Sequence, residues 1–163
     1  MKKYTYNLTP FLMVGLLLGC STTPSTKTAE ANLNHSLNWL TLNKFREGVQ
    51  QTASGLQYKV LKKSLGCKPS RTTTVTVNYD MRVATTNQIA DKNYERLSPA
   101  KLPLLKVIKG WQEGVALMKV GEVWEFYIPP DLAYGKRSSG PLIKPNTALT
   151  SKVWLLAARS CQK

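Results

Sequence analysis

The hydrophobic positions of this chain change period along its length. Between residues 33 and 49, Leu37, Leu40 and Phe45 suit one thin face of a short helix, with Gly48 as its stop. From there the period drops to two. Leu56, Tyr58 and Val60 alternate with Gln57 and Lys59. A longer alternation sets Val75, Val77, Tyr79, Met81 and Val83 against Thr74, Thr76, Asn78, Asp80 and Arg82, the pattern of an antiparallel sheet with one wet face. Residues 84–101 read as irregular and polar, and Leu102-Pro103-Leu104 as a short extended piece. Helical spacing returns at Trp111, Val115 and Met118 and is closed by Gly121. Trp124, Phe126 and Ile128 alternate as another strand, broken by Pro129-Pro130. Residues 131–146 read as a long loop, and Leu149, Ser151, Val153 and Leu155 as a last strand. Four or five strands with one short central helix predict an α+β fold, the helix lying on one sheet face.

The first residues follow a different logic. Lys2 and Lys3 precede an apolar stretch at residues 11–18. That stretch is too short for a bilayer span, which needs roughly 20 apolar residues, and has the length of a signal-peptide core. It ends in Leu17-Leu18-Gly19-Cys20, which resembles a bacterial lipobox. Residues 1–19 are therefore expected to be a lipoprotein signal peptide. Residues 20–53 are expected to hold the lipidated Cys20, a flexible Ser/Thr/Ala/Pro-rich tether (residues 21–32) and the short helix, and residues 54–163 the folded domain. Ser21 stands where Asp would signal inner-membrane retention in enteric-type bacteria. The resemblance implies a lipid-anchored envelope protein, on the outer membrane facing the periplasm.

Charge and composition narrow the chemistry. The 163 residues suit one domain, and 23 Lys and Arg against 9 Asp and Glu give a formal charge of +14. Such a balance favours anionic neighbours, and a structural lipoprotein held to anionic glycolipid is the reading that charge alone supports. No basic stripe interleaved with aromatics and no nucleic-acid motif accompanies it, so nucleic acid is not an expected partner. His35 is the only histidine and precedes the domain, which argues against Ser-His or Cys-His catalysis and against a His-based metal site. No metal and no cofactor is expected. With Cys20 assigned to lipid, Cys67 and Cys161 bracket the domain. They are a candidate disulfide in an oxidising compartment, two free thiols being the alternative.

Four blocks then carry a resemblance. They are Ser54-Gly55-Leu56-Gln57-Tyr58-Lys59-Val60, Thr74-Val75-Thr76-Val77-Asn78-Tyr79, Val107-Ile108-Lys109-Gly110-Trp111-Gln112-Glu113-Gly114 and Tyr127-Ile128-Pro129-Pro130-Asp131-Leu132-Ala133-Tyr134-Gly135. In this order and spacing, residues 54–158 resemble the FKBP-type peptidyl-prolyl cis-trans isomerases, above all the envelope proteins of the macrophage infectivity potentiator type. The resemblance implies a twisted antiparallel five-stranded sheet wrapped around one short helix, with a shallow apolar pocket between them. It implies proline-containing polypeptides as clients, Trp111 as the floor for proline, Val107, Ile108, Tyr79 and Ile143 as lining, and Leu102 in place of a family aromatic. It also implies carbonyl-holding roles for the Ile108 N–H and the Tyr134 hydroxyl. Anchoring Ala90-Asp91-Lys92-Asn93-Tyr94 on Tyr94 puts Asp91 at the family aspartate. Asp91 and Tyr134 are then the candidate catalytic residues. The long N-terminal dimerisation region of such proteins has no counterpart here beyond one short helix, which leaves the oligomeric state open.

Four departures bear on activity. Ala90, Leu102 and Ser151 stand where the family carries aromatic rings, and Met81 where it usually carries Gly. Lost rings mean lost apolar contact area. The resemblance therefore implies a weak or altered isomerase, with poor affinity for macrolide inhibitors. The alternative is a binding or chaperone module of the same fold with little isomerase activity.

Overall fold

The computed structural model describes residues 24–94 and 98–162; residues 1–23, including the lipobox and Cys20, lie outside the described residues. Two strands of ten residues each, β3 (Thr74–Val83) and β7 (Leu149–Ala158), form the middle of one antiparallel sheet and pair from Val75↔Ala158 to Val83↔Leu149. Outward from β7 lie β6 (Val123–Ile128), β2 (Gln57–Lys62) and β1 (Val49–Gln51). Along the other edge of β3 lie both β4 (Ile89–Lys92) and β5 (Ala100–Pro103).

The alternation of apolar residues becomes one buried face. Val75, Val77, Phe126, Ile128, Leu149, Val153 and Leu155 are wholly inaccessible and form a single cluster. Helix α2 (Lys109–Leu117) covers that face with Trp111, Val115 and Ala116. It sits close to β6 for a steric reason. A Cβ at Gly110 would lie 2.6 Å from Ile128 Cγ2, and one at Gly114 would run into the Phe126 ring. The two glycines of the Lys109–Gly114 motif thus set the helix–sheet distance.

The opposite face carries a second helix, α1 (Pro24–Asn43), which starts and ends earlier than the segment 33–49 expected from the pattern. The expected tether at residues 21–32 is helical from Pro24 onward, as suits proline in a first turn. Side chains fasten this half of the helix to the 145–148 segment. Asn32 Nδ2 donates to Pro145 O (3.2 Å), and Asn146 Nδ2 donates to Ala29 O (3.0 Å). Ser36 Oγ donates to Asn146 O and accepts from Ala148 N–H, both at 2.9 Å. The helix ends at Asn43, well before Gly48, whose positive φ of 75° serves instead the turn into β1. Of the expected face Leu37, Leu40 and Phe45, Leu40 alone is buried. Leu40 is buried with Trp39 against Tyr127, Ala84 and Ala148, whereas Leu37 and Phe45 are 47% and 77% exposed.

The sheet has two strands more than expected, β1 and β4. They are three and four residues long, too short to show a period. β4 lies in the stretch 84–101 that reads as irregular, and β5 agrees with the extended piece at residue 102. Beyond the long loop, a disulfide joins Cys67 to Cys161 with Cα atoms 5.8 Å apart, within the ordinary range. The bridge Pro69↔Cys161 and the bond from Gln162 N–H to Lys68 O (2.8 Å) hold the same two segments together.

Candidate functional site

Between the β3–β4–β5 end of the sheet and the start of α2 lies a cleft of about 270 Å³. Its lining is Tyr79, Met81, Asp91, Leu102, Lys106, Val107, Ile108, Trp111 and Tyr134. Each of these is set by local structure. Trp111, in the first turn of α2, is 2% exposed and forms the floor. The ring of Tyr79, from β3, meets the indole edge-on with centroids 5.1 Å apart and planes at 87°. Register places Asp91 of β4 opposite Met81 of β3, and the Tyr79 hydroxyl donates to Asp91 Oδ2 at 2.5 Å. A short bond to a carboxylate is among the stronger neutral-to-ion contacts, and it fixes the Tyr79 ring.

Buried Asn93 holds this corner in register. Its Oδ1 accepts from Tyr79 N–H (2.6 Å), its N–H donates to Tyr79 O (3.0 Å) and its Nδ2 donates to Val77 O (3.0 Å). A 3-10 turn at Leu104–Lys106 then leads into α2. Gln112 Nε2 reaches back to Val107 O at 2.8 Å and so positions the Val107-Ile108 corner. Ile108 is the residue before the first helical turn, extended at φ −60° and ψ 150°, and its N–H has no acceptor within the helix. Tyr134 follows a second 3-10 turn at Pro130–Leu132, where Ala133 and Gly135 N–H both bond Pro130 O. Its hydroxyl makes no hydrogen bond among the described residues. The Ile108 N–H and the Tyr134 hydroxyl, with Asp91 and Lys106, are thus the few polar groups among largely apolar lining residues, a small set of the kind that orients a ligand.

The structure brings together seven of the eight residues singled out for the cleft: Tyr79, Asp91, Leu102, Val107, Ile108, Trp111 and Tyr134. Ile143 is the exception. It is 5% exposed and packed into the core cluster. Met81 and Lys106 line the cleft without having been singled out. Met81 was legible, being two residues from Tyr79 on the same strand face. Nothing in the sequence marks Lys106. Of the three positions that lack family rings, only Leu102 lines the cleft. Ala90 packs against the core, and Ser151 is wholly buried with its hydroxyl donating to Asp80 O (2.9 Å). Among the described residues no group of three or more His, Cys, Asp or Glu could hold a metal ion.

A sheet curled over one short helix, with an indole-floored cleft at its open corner, defines a class of fold that comparison identifies. Residues 66–156 match the FKBP-type peptidyl-prolyl cis-trans isomerase family, and residues 21–60 match the domain amino-terminal to FKBP-type peptidyl-prolyl isomerase. The chain belongs to the FKBP-type peptidyl-prolyl cis-trans isomerase family.

Particular relatives sharpen this. Peptidyl-prolyl cis-trans isomerase Mip of Coxiella burnetii is 45% identical over 128 residues, 78% of this chain and 55% of that one. Outer membrane protein MIP of Legionella longbeachae is 38% identical over 133 residues, 82% of this chain and 57% of that one. The chain thus spans little more than half the length of these relatives. Among solved structures, FkpA from Escherichia coli superposes with a TM-score of 0.77 at 34% identity, covering 82% of this chain and 62% of that one. A peptidyl-prolyl cis-trans isomerase from Pseudomonas syringae superposes with a TM-score of 0.74 at 30% identity, covering 87% and 99%.

Proposed function

We propose that this protein is a peptidyl-prolyl cis-trans isomerase acting on X–Pro bonds of polypeptides in the cell envelope. The observation that carries the reading is the apolar cleft floored by Trp111, with the Ile108 N–H and the Tyr134 hydroxyl at its edge. Rotation about a peptide bond is opposed by ~18–20 kcal/mol of amide resonance, and unaided X–Pro bonds exchange over tens to hundreds of seconds. A site accelerates the exchange by binding the twisted amide better than either planar form. Twisting uncouples the nitrogen lone pair and makes the amide less dipolar, so an apolar cleft favours that geometry. Proline stacks on the Trp111 indole between Val107, Leu102 and Met81, while the two donors hold carbonyls of the flanking chain. Asp91 acts beside the rotating bond and, through its bond to the Tyr79 hydroxyl, keeps the Tyr79 wall upright on the indole. No cofactor takes part.

A refolding reaction limited by prolyl isomerisation tests this. Residues 24–163 are expected to accelerate it catalytically. Trp111→Leu and Asp91→Ala are each expected to lower kcat/KM by about tenfold, near 1.4 kcal/mol of transition-state binding. No acceleration at high micromolar protein sinks the proposal.

The same reading places the protein at the membrane through a lipid on Cys20, after removal of residues 1–19, with residues 20–53 as lead-in and residues 54–163 as the isomerase unit. The lipobox at Leu17-Leu18-Gly19-Cys20 supports this, and the Cys67–Cys161 pairing suits an oxidising compartment. Relatives named as MIP and as an outer membrane protein support the outer membrane. Incorporation of labelled palmitate that vanishes in Cys20→Ala is the expected result, and labelling that survives the substitution overturns the anchor.

A further inference from the structure

The charge of this chain is unevenly placed with respect to the cleft. The segment from residue 100 to residue 112, which supplies one wall and the floor, carries Lys101, Lys106 and Lys109 and no carboxylate; Lys101 and Lys109 line other hollows of the surface, Lys109 beside Glu113. The segment from residue 134 to residue 146, which begins at the Tyr134 wall, carries Lys136, Arg137 and Lys144 and again no carboxylate. All six side chains are exposed. Lys106 is itself part of the cleft lining. Four acids are engaged near home: Asp80 with Arg82 (3.3 Å), Glu122 with the Trp124 indole N–H (2.8 Å), Glu125 with the Tyr127 hydroxyl (3.0 Å) and Glu113 with the Ser54 hydroxyl (2.6 Å). Asp131, three residues before Tyr134, is an exposed acid on that side. None of the six cations is held in a salt bridge among the described residues. Asp91, the acid in the cleft lining, is held by the Tyr79 hydroxyl.

Lys106 stands in the cleft lining, and Lys136 and Arg137 follow Tyr134, another lining residue, by two and three positions, so a polypeptide whose proline rests on Trp111 has cations beside both walls. Resting on the isomerase reading above, we propose that the cleft selects prolyl segments flanked by Asp or Glu, with Lys106 as the specificity-determining residue at the wall, supported by Lys136 and Arg137 in the loop that follows Tyr134. The selection is electrostatic complementarity at short range. It acts on encounter and binding rather than on the rotation itself. An exposed charge pair contributes little singly, so the effect depends on several cations meeting the same short peptide.

The test compares three peptides, each with one Leu-Pro core and two Glu, two Gln or two Lys flanking it. Isomerisation rates and peptide binding by NMR titration are measured separately. At low ionic strength the Glu peptide is expected to bind about tenfold tighter than the Lys peptide, the difference lying in KM rather than kcat. The gap closes to within about twofold in 1 M salt, where the screening length falls to ~3 Å. The pair Lys106→Glu with Lys136→Glu is expected to reverse the order. The pair Lys62→Glu with Lys63→Glu, which makes the same change in net charge away from the cleft lining, is expected to keep it. Equal binding of the three peptides, or equal effects of the two charge-reversal pairs, overturns the inference. Loss of isomerisation for all three peptides with the binding order intact would instead overturn the isomerase reading alone.

Discussion

The two faces of the sheet are held by different physics. On the inner face, α2 and the strands share one large cluster of wholly buried apolar side chains, and the helix rests on glycines that let it approach. On the outer face, α1 buries Leu40 in a small cluster with Tyr127, Ala84 and Ala148. The rest of its attachment is directional. Ser36 and Asn32 bond the 145–148 segment, Asn43 Nδ2 donates to Gln57 Oε1 (2.9 Å) and Gln57 Nε2 donates to Leu40 O (3.0 Å). Burial of apolar area tolerates small displacements, whereas a hydrogen bond in a buried setting is lost by them. The cleft, built on the inner face, therefore stands on the more robust half, and α1 is the half expected to open first.

The largest effect should come from Phe126, wholly buried between Gly114 and the strands. Phe126→Ala is expected to cost about 3–5 kcal/mol in urea unfolding and to loosen α2 and the cleft together. Next comes Ser36→Ala. It strips a partner from both Asn146 O and Ala148 N–H, for a cost of about 2 kcal/mol. Hydrogen exchange should then speed up in α1 while β3 and β7 stay protected. Equal deprotection of the two faces would break the comparison. The smallest effect is expected at Phe45. Being 77% exposed, its change to Ser should alter stability by less than about 0.5 kcal/mol.

Sequence patterning reached the inner face far better than the outer one, for reasons these residues make plain. Val75, Val77 and Phe126 alternate along strands with polar neighbours, and a period of two survives without knowledge of what packs on it. Tyr127 also lies on an alternating strand, yet its face is buried under a helix whose own sequence is rich in Ser, Thr and Asn. Such a composition reads as a tether. The bonds that make it a docked helix run to residues more than one hundred positions away, which no local pattern reports. Burial of Tyr127, with Glu125 beside it, pushes its hydroxyl well above the usual phenol range, a mark of how closed that face is. At the cleft, the residues fixed by motif and register came together. Ile143 did not, being packed into the core cluster, and Lys106 had no pattern to announce it.

The link between Cys67 and Cys161, 94 positions apart, turns most of the domain into a covalent ring. A ring survives one cut. A protease that nicked the exposed stretch around residues 136–138 would leave both fragments joined, with β7 still seated between β6 and β3. In a compartment stocked with proteases, such a molecule would show two bands on a reducing gel while remaining a single folded body.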